Sequence, residues 1–167
     1  MSQASSGQAR SFRVAIPSCR SGLAPGTGVL TTDGELPVEF LEPGDKVVTY
    51  DRGAIPLARI VTRIVPRAEV VRVRPSVLDP IGAGRDFLIS AHTRLLLRDW
   101  RAPALFGKPS ALVEFARLAD GAHIARLGGE GTLRLFQLHF DDCQHLVQIA
   151  GGRYRVVSAR MPARARA

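Results

Sequence analysis

The sequence predicts an all-β fold built from many short strands. Short Val- and Ile-rich stretches recur along the chain, Gly- and Pro-containing turns separate them, and almost no helical period is visible. The 167 residues are 46% hydrophobic and 23% charged, which suits one globular domain with a buried core. At most one short helix is expected.

Strand and turn signals follow one another from about residue 20 onward. Residues 1–20, rich in Ser, Gln and Ala, are expected to form a flexible arm. A strand that begins at Gly28 ends at Asp33-Gly34, a dipeptide typical of two-residue hairpin turns. The one short helix is expected at 111–118, with irregular chain at 100–109 and a loop at 79–84. Further strand patterns lie at 36–40, 46–51, within 54–78, and at 87–97, 122–127, 132–141, 145–150 and 153–158.

A short internal echo indicates two related halves. Val38-Glu39-Phe40 runs into Leu41, Gly44 and Val47, and Val113-Glu114-Phe115 runs into Leu118, Gly121 and Ile124. Each copy contains an apolar stretch, a Gly turn and an emerging strand. The shared order predicts two halves packed about a pseudo-twofold axis.

Four segments carry a further, more specific pattern. They are Gly22-Leu-Ala-Pro-Gly-Thr27 with the run from Val29 to Val48, then Phe87-Leu-Ile-Ser-Ala-His-Thr-Arg-Leu-Leu-Leu97 with Asp99-Trp100-Arg101, then 118–124, and finally 138–152. Together they resemble the motifs of a bacterial Hint domain, the module of Hedgehog proteins and inteins. The resemblance implies a pseudo-twofold, disc-like or horseshoe β fold over residues 21–152, followed by a basic extension at 153–167.

The resemblance also implies a chemistry. In Hint domains a Cys or Ser at the first position attacks the preceding carbonyl and converts the amide into a thioester or ester. A His of the middle motif protonates the departing amide nitrogen. A terminal Asn then cyclises in inteins, whereas an external acceptor takes the acyl group in Hedgehog-type domains. The implied partner is the chain's own polypeptide or a peptide segment.

The position of the nucleophile is occupied by a residue that has no reactive atom. The family's nucleophile lies four residues before its Gly-Thr, and counting back from Gly26 reaches Gly22. Ser21 and Cys19 precede Gly22 by one and three residues, which is about 3 and 10 Å along extended chain. Because a misplacement of about 1 Å can lower a rate a hundredfold, a displaced nucleophile at Ser21 or Cys19 is the alternative rather than the main interpretation.

The histidine positions are only partly preserved. The family's middle motif reads Ser/Thr-x-x-His, but Ser90 is followed at that spacing by Thr93, with His92 one place early. On a strand His92 would face away from the site, unless a bulge turned it. His145 matches the histidine of the closing motif. The sequence contains no Asn, so Asn-driven release, and with it complete splicing, is excluded.

Two functions are consistent with these residues. The first is a Hint domain that is degenerate for self-cleavage and is kept as a binding or structural module. The second is an active autoproteolytic domain that performs the N-terminal acyl shift and cleavage without splicing, with Ser21 or Cys19 as nucleophile and His92 or His145 as acid.

Charge and composition bear on other partners. The net charge is +8, but 21 of the 23 basic residues are Arg, scattered along the chain except in the tail, and aromatics make up 6%. Nucleic-acid binding is therefore not expected, and an Arg-tail interaction is a third, weaker alternative. No cofactor is indicated. Because no signal peptide or membrane-spanning stretch is predicted, a cytoplasmic location is the default expectation.

One run of residues could in principle hold a metal ion. His139, Asp141, Cys143 and His145 recur at period two, so on a straight strand all four would share a face. The same spacing is more common in a polar hairpin, and no metal site is assigned on this basis.

Overall fold

The strands of the chain are short, and turns bound most of them. The computed structural model describes residues 21–75 and 85–160, and there the predicted all-β fold is confirmed. In chain order the strands are β1 (Gly28–Thr31), β2 (Gly34–Pro37), β3 (Lys46–Thr49), β4 (Gly53–Pro56), β5 (Arg59–Pro66), β6 (Val70–Val73), β7 (Phe87–Ser90), β8 (Arg94–Leu97), β9 (Ala111–Glu114), β10 (Ile124–Arg126), β11 (Thr132–His139), β12 (Leu146–Ile149) and β13 (Tyr154–Val157). Alternate residues face the core, as Val29 and Thr31 do in β1.

Helical structure within the described ranges consists of short segments. One α-helix, α1, spans Arg101–Phe106, and 3₁₀ turns lie at Val38–Phe40, Arg67–Glu69 and Phe115–Leu118. The carboxylate of Asp99 accepts a hydrogen bond from the N–H of Arg101 at the start of α1, and Gly107, at φ +65°, ends it. None of these helices has the length and hydrophobicity that a membrane crossing requires.

Three antiparallel sheets make up the described fold. The largest has eight strands in the order β2-β1-β3-β12-β13-β8-β9, with β4 added on β3. A second sheet has the order β10-β6-β7, and β11 pairs with β5 along eight residues to form a ribbon. The final strand, β13, lies between β12 and β8. The sheet therefore continues past Gly152, where the sequence led us to end the domain, and the extension at 153–167 begins inside a hairpin.

Two groups of buried side chains hold the sheets together. The main core contains the inward-facing residues of the large sheet together with Ile89 and Phe115, both 0% exposed. A smaller cluster lies beside the β11–β5 ribbon and contains Ala24, Val70, Leu127 and Leu135. The smaller cluster matters for function because the candidate site adjoins Leu135.

Two hairpins are related as the echo predicted, but in a register shifted by two residues. The N–H of Val38 donates to the carbonyl of Thr27 over 2.9 Å, and the N–H of Phe115 donates in the same way to the carbonyl of Thr93 over 3.1 Å. A 3₁₀ turn then begins at Val38 in the first segment and at Phe115 in the second. Val38 therefore corresponds to Phe115 rather than to Val113. This register aligns Leu41 with Leu118, Gly44 with Gly121 and Val47 with Ile124. It also makes Thr27 the counterpart of Thr93.

The prediction of a helix at 111–118 was wrong. Residues Ala111–Glu114 form β9, which pairs with β8, and only the 3₁₀ turn follows. Val113 and Phe115 are both buried at a spacing of two, so cross-strand packing outweighs the local helical preference. The helix that the structure does contain, α1, lies in the stretch expected to be irregular.

The single strand expected at 87–97 is divided into β7 and β8. A turn at Ala91-His92 separates them and passes the chain from the three-stranded sheet to the large one. The predicted hairpin is present, but its turn lies at Thr32-Asp33, one residue before Asp33-Gly34, and Gly34, at φ +98°, is the first residue of β2. The expectations for the arm at 1–20, the loop at 79–84 and the last residues of the tail fall outside the described residues.

Candidate functional site

The described chain enters the fold as an extended segment between β7 and β11. Leu23 forms isolated bridges with Ile89 on one side and with Phe136 on the other. The N–H and C=O of Leu23 make hydrogen bonds of 2.9 and 2.8 Å with Phe136. The N–H of Ser90 donates to the carbonyl of Gly22 over 3.0 Å. Gly22 is thereby fixed between strands of two different sheets.

Side chains hold the Ser21–Gly22 peptide bond at both ends. The N–H of Gly22 donates to the hydroxyl of Thr93 over 3.1 Å, and that hydroxyl lies 3.5 Å from the carbonyl oxygen of the same glycine. The amide Nε2 of Gln137 donates to the carbonyl oxygen of Ser21 over 2.9 Å. Arg63 Nε donates to Gln137 Oε1 over 3.3 Å and so fixes which end of that amide faces Ser21. A hydrogen-bond donor to a carbonyl oxygen stabilises the negative charge that develops on that oxygen during acyl transfer.

Gly22 has no room for a side chain. A Cβ added to Gly22 would lie 2.9 Å from the Cβ of Leu135, closer than Cβ atoms approach other atoms in proteins. Leu135 is 1% exposed and belongs to the ribbon strand β11, so its Cβ moves only with the backbone. The position that the resemblance assigns to the nucleophile thus lacks a reactive atom, and a side chain there would require the backbone of the entering segment or of β11 to shift.

His92 is directed elsewhere, and the reason differs from the one expected. It lies in the turn between β7 and β8 rather than on a strand. Its Nδ1 is 3.6 Å from a carboxylate oxygen of Glu114 on β9, and the side chain is 29% exposed. The structure therefore pairs His92 with Glu114 and not with Gly22. Cys19, the other displaced candidate, lies outside the described residues.

His145 lies in a separate charged cluster. Its side chain is 0% exposed, with Nδ1 2.8 Å from Asp51 Oδ2 and Nε2 2.8 Å from Asp142 Oδ1. Burial by itself would lower the pKa of His145, because it disfavours the charged ring. The hydrogen bonds to both carboxylates outweigh this effect and raise the pKa. The hydrogen bond with His145 lowers the pKa of Asp142 to about 2. Both ring nitrogens are thus engaged by carboxylates, and neither is directed at the Ser21–Gly22 bond.

The four possible metal donors, which would share a face only on one straight strand, do not lie on one strand. Strand β11 ends at His139, and the chain bends through 141–143 before β12 begins. His139 is 2% exposed, and its two ring nitrogens have no hydrogen-bond partner among the described residues. Burial, assisted by Arg59 and Arg63, lowers the pKa of His139. The alternative of one straight strand fails because β11 ends at His139, before Asp141.

Gln137 is the site residue that the sequence analysis missed. It contacts the Ser21 carbonyl because β11 pairs with the entering segment, a contact between residues 116 positions apart. The available signal was an amide side chain inside an apolar strand, where Leu135 and Leu138 are both buried. A buried polar group in such a strand requires a specific partner.

Comparisons with known proteins agree with this architecture. The profile of the Hint domain family matches residues 21–153. The solution structure of a bacterial intein-like domain from Clostridium thermocellum is similar at a TM-score of 0.57 and 15% identity, covering 86% of this chain and 100% of that one. The crystal structure of a DnaB intein from Synechocystis is similar at a TM-score of 0.49 and 11% identity, covering 84% and 99%. A search of curated proteins found no significant match. The family profile covers most of the chain, and the chain therefore belongs to the Hint domain family.

Proposed function

We propose that this Hint domain does not cut its own polypeptide and instead serves as a structural or binding module that retains its entering strand. The observation that carries the proposal is the environment of Gly22. Its peptide bond with Ser21 is held by Thr93 and Gln137, and Leu135 closes the space where a nucleophile would stand. The side chains that hold the peptide bond are present, whereas the side chain that would attack it is missing.

The groups that remain support recognition better than catalysis. The Gln137 amide would stabilise a developing oxyanion on Ser21, but no side chain atom at Gly22 is available to attack. A threonine hydroxyl does not titrate near neutral pH, so Thr93 is a poor proton donor to a departing nitrogen. His92 and His145 are committed to carboxylates elsewhere.

The pairing of the entering segment supports the chain's own peptide as the partner of this module. Leu23 bridges β7 and β11, and the backbone of Ala24 continues the pairing with a 3.2 Å bond to the carbonyl of Leu88. Main-chain pairing of this kind is how sheets capture an extended peptide. The peptide that fits is the chain's own segment 21–24, retained in place.

Intact mass after expression tests the absence of cleavage. The full chain, carrying an N-terminal tag, is incubated with and without a small thiol at neutral pH. We expect one species of the full mass under both conditions. A fragment that begins between Cys19 and Gly22 would contradict the proposal and favour the autoproteolytic alternative with Ser21 or Cys19.

A double variant tests whether the site corresponds to the family's reaction centre. In Gly22→Cys with Thr93→His, the new thiolate attacks the carbonyl carbon of Ser21, the C–N bond breaks, and the nitrogen leaves with a proton as a free amine. An added thiol then takes the acyl group from the thioester. We expect thiol-dependent cleavage after Ser21 once the entering segment has shifted away from Leu135 Cβ to admit the new side chain. Gly22→Ala with Thr93→His has the same crowding against Leu135 and no thiol, and it should stay intact. Inertness of the folded Gly22→Cys, Thr93→His double variant would show that the two sites do not correspond.

A further inference from the structure

The bend between β11 and β12 gathers three side chains that bind metal ions well. Ligand atoms of Asp142, Cys143 and His145 all lie within 4.8 Å of one another. Nε2 of His145 is 2.8 Å from Asp142 Oδ1 and 3.7 Å from Cys143 Sγ. Asp142 and Cys143 are exposed while His145 is buried, so the cluster is open to solvent on one side only.

A second carboxylate orients the imidazole from behind. Asp51 Oδ2 lies 2.8 Å from Nδ1 of His145, and its other oxygen accepts the N–H of Leu146 over 2.8 Å. Phe140 packs edge-on against the ring, with centroids 5.0 Å apart. The ring is therefore fixed so that Nε2 faces Asp142 and Cys143. A carboxylate on the far nitrogen is the usual support of a metal-bound histidine, because it fixes the ring and strengthens the ligand.

We propose that Asp142, Cys143 and His145 form a zinc site, with Asp51 as the positioning residue behind the imidazole. Thiolate, imidazole and carboxylate together are ligands typical of Zn²⁺, whereas Mg²⁺ and Ca²⁺ favour sites made of oxygen alone. Three protein ligands leave the fourth tetrahedral position to water on the exposed side. The site lies in the bend and not around Gly22, so it is independent of peptide-bond cleavage.

The protons balance in a simple way. Zn²⁺ replaces the proton on Cys143 Sγ and any proton on Nε2 of His145, and both leave to solvent. The Nδ1–H stays in place and donates to Asp51. The hydrogen bond between Asp142 and Nε2 is exchanged for two metal bonds. The ion would thus join the bend at 142–143 to the buried end of β12.

Cysteine content provides a matched control. The sequence contains two cysteines, Cys143 in the cluster and Cys19 outside the described residues. Cys143→Ser removes the thiolate ligand on the protein surface, where substitution leaves the fold intact. Cys19→Ser removes the other thiol. Asp51→Asn keeps the size of the positioning side chain and removes its charge.

Titration of the full chain with Zn²⁺ by calorimetry, and with Co²⁺ as a spectroscopic probe, tests the proposal. We expect one ion per chain and a thiolate-to-cobalt charge-transfer band, both retained in Cys19→Ser. Cys143→Ser should lose the band. Asp51→Asn should keep the band with affinity lower by about 10- to 100-fold. The proposal is overturned if the parent binds no Zn²⁺, or if the band disappears in Cys19→Ser and persists in Cys143→Ser. Unchanged affinity in Asp51→Asn would remove Asp51 from the site.

Discussion

The hydroxyl of Thr93 contacts both backbone groups of Gly22, a residue 71 positions earlier in the chain. Thr27, the counterpart of Thr93 in the other hairpin, is also buried, but its hydroxyl has no hydrogen-bond partner among the described residues. The two halves thus have a threonine at corresponding positions, but the two hydroxyls differ in their hydrogen bonding. Of these two threonines, only Thr93 forms a hydrogen bond with the entering segment.

Replacing Thr93 by valine should loosen that strand. Thr93→Val keeps the shape of the side chain and leaves the Gly22 N–H without a partner, so we expect the free energy of unfolding to fall by about 1–3 kcal/mol. Hydrogen exchange at the Gly22 amide should accelerate as well. Urea denaturation and amide exchange measured by NMR check the two effects.

Thr27→Val is the matched control. It removes a buried hydroxyl that makes no hydrogen bond with the described residues, so its effect should be neutral or stabilising. Equal destabilisation by both substitutions would mean that the Thr93–Gly22 contact contributes nothing specific.

The space around Gly22 gives a second prediction. Gly22→Ala places a methyl group against Leu135 Cβ, and overpacking of this kind lowers stability by about 1–3 kcal/mol. Gly128→Ala is the comparison, because a Cβ there meets no atom within 4 Å. Chemical denaturation of both variants provides the test. If Gly22→Ala is as stable as Gly128→Ala, Leu135 does not close the space beside Gly22.

The buried His139 gives a prediction about pH. Burial lowers the pKa of His139 in the folded state, whereas the unfolded chain keeps the ordinary value near 6.5. The unfolded state therefore binds the proton more tightly, and this contribution to stability is lost as pH falls below about 6.5 toward the lower folded pKa. His139→Leu removes this titrating group. The free energy of unfolding of the variant, relative to that of the parent, should therefore be higher at pH 5 than at pH 8.

Denaturant unfolding at the two pH values measures that difference. His123→Leu is the control, since His123 is an exposed residue and surface substitutions usually change stability by no more than about 0.5 kcal/mol. The same advantage for His139→Leu at both pH values would show that His139 is protonated equally in the folded and unfolded chains.

Much of the fold and the central pair of the site could be predicted from local sequence. Asp33-Gly34 marks a turn wherever it occurs between strands, and counting from Gly26 reaches Gly22 because the opening motif is contiguous. Thr93 was found from its spacing to Ser90. Each of these inferences depends on a few neighbouring residues.

The parts that sequence did not predict depend on distant pairing. Gln137 reaches Ser21 only because β11 lies beside the entering strand. Asp51 reaches His145 across 94 positions, and nothing near either residue indicates it. Residues 111–114 form a strand because they pair with β8. Local preference decides such cases only where no partner strand is present.

The placement of β13 has a consequence for how the molecule is made. The first hairpins and the β8–β9 hairpin belong to one sheet only through β12 and β13, which are the last strands of the described residues. The two earlier parts can therefore pair into one sheet only after residues through Val157 have been synthesised. Pairings of such long range also slow folding. We therefore expect the whole sheet to appear late and cooperatively, as a closure event that the C-terminal hairpin triggers.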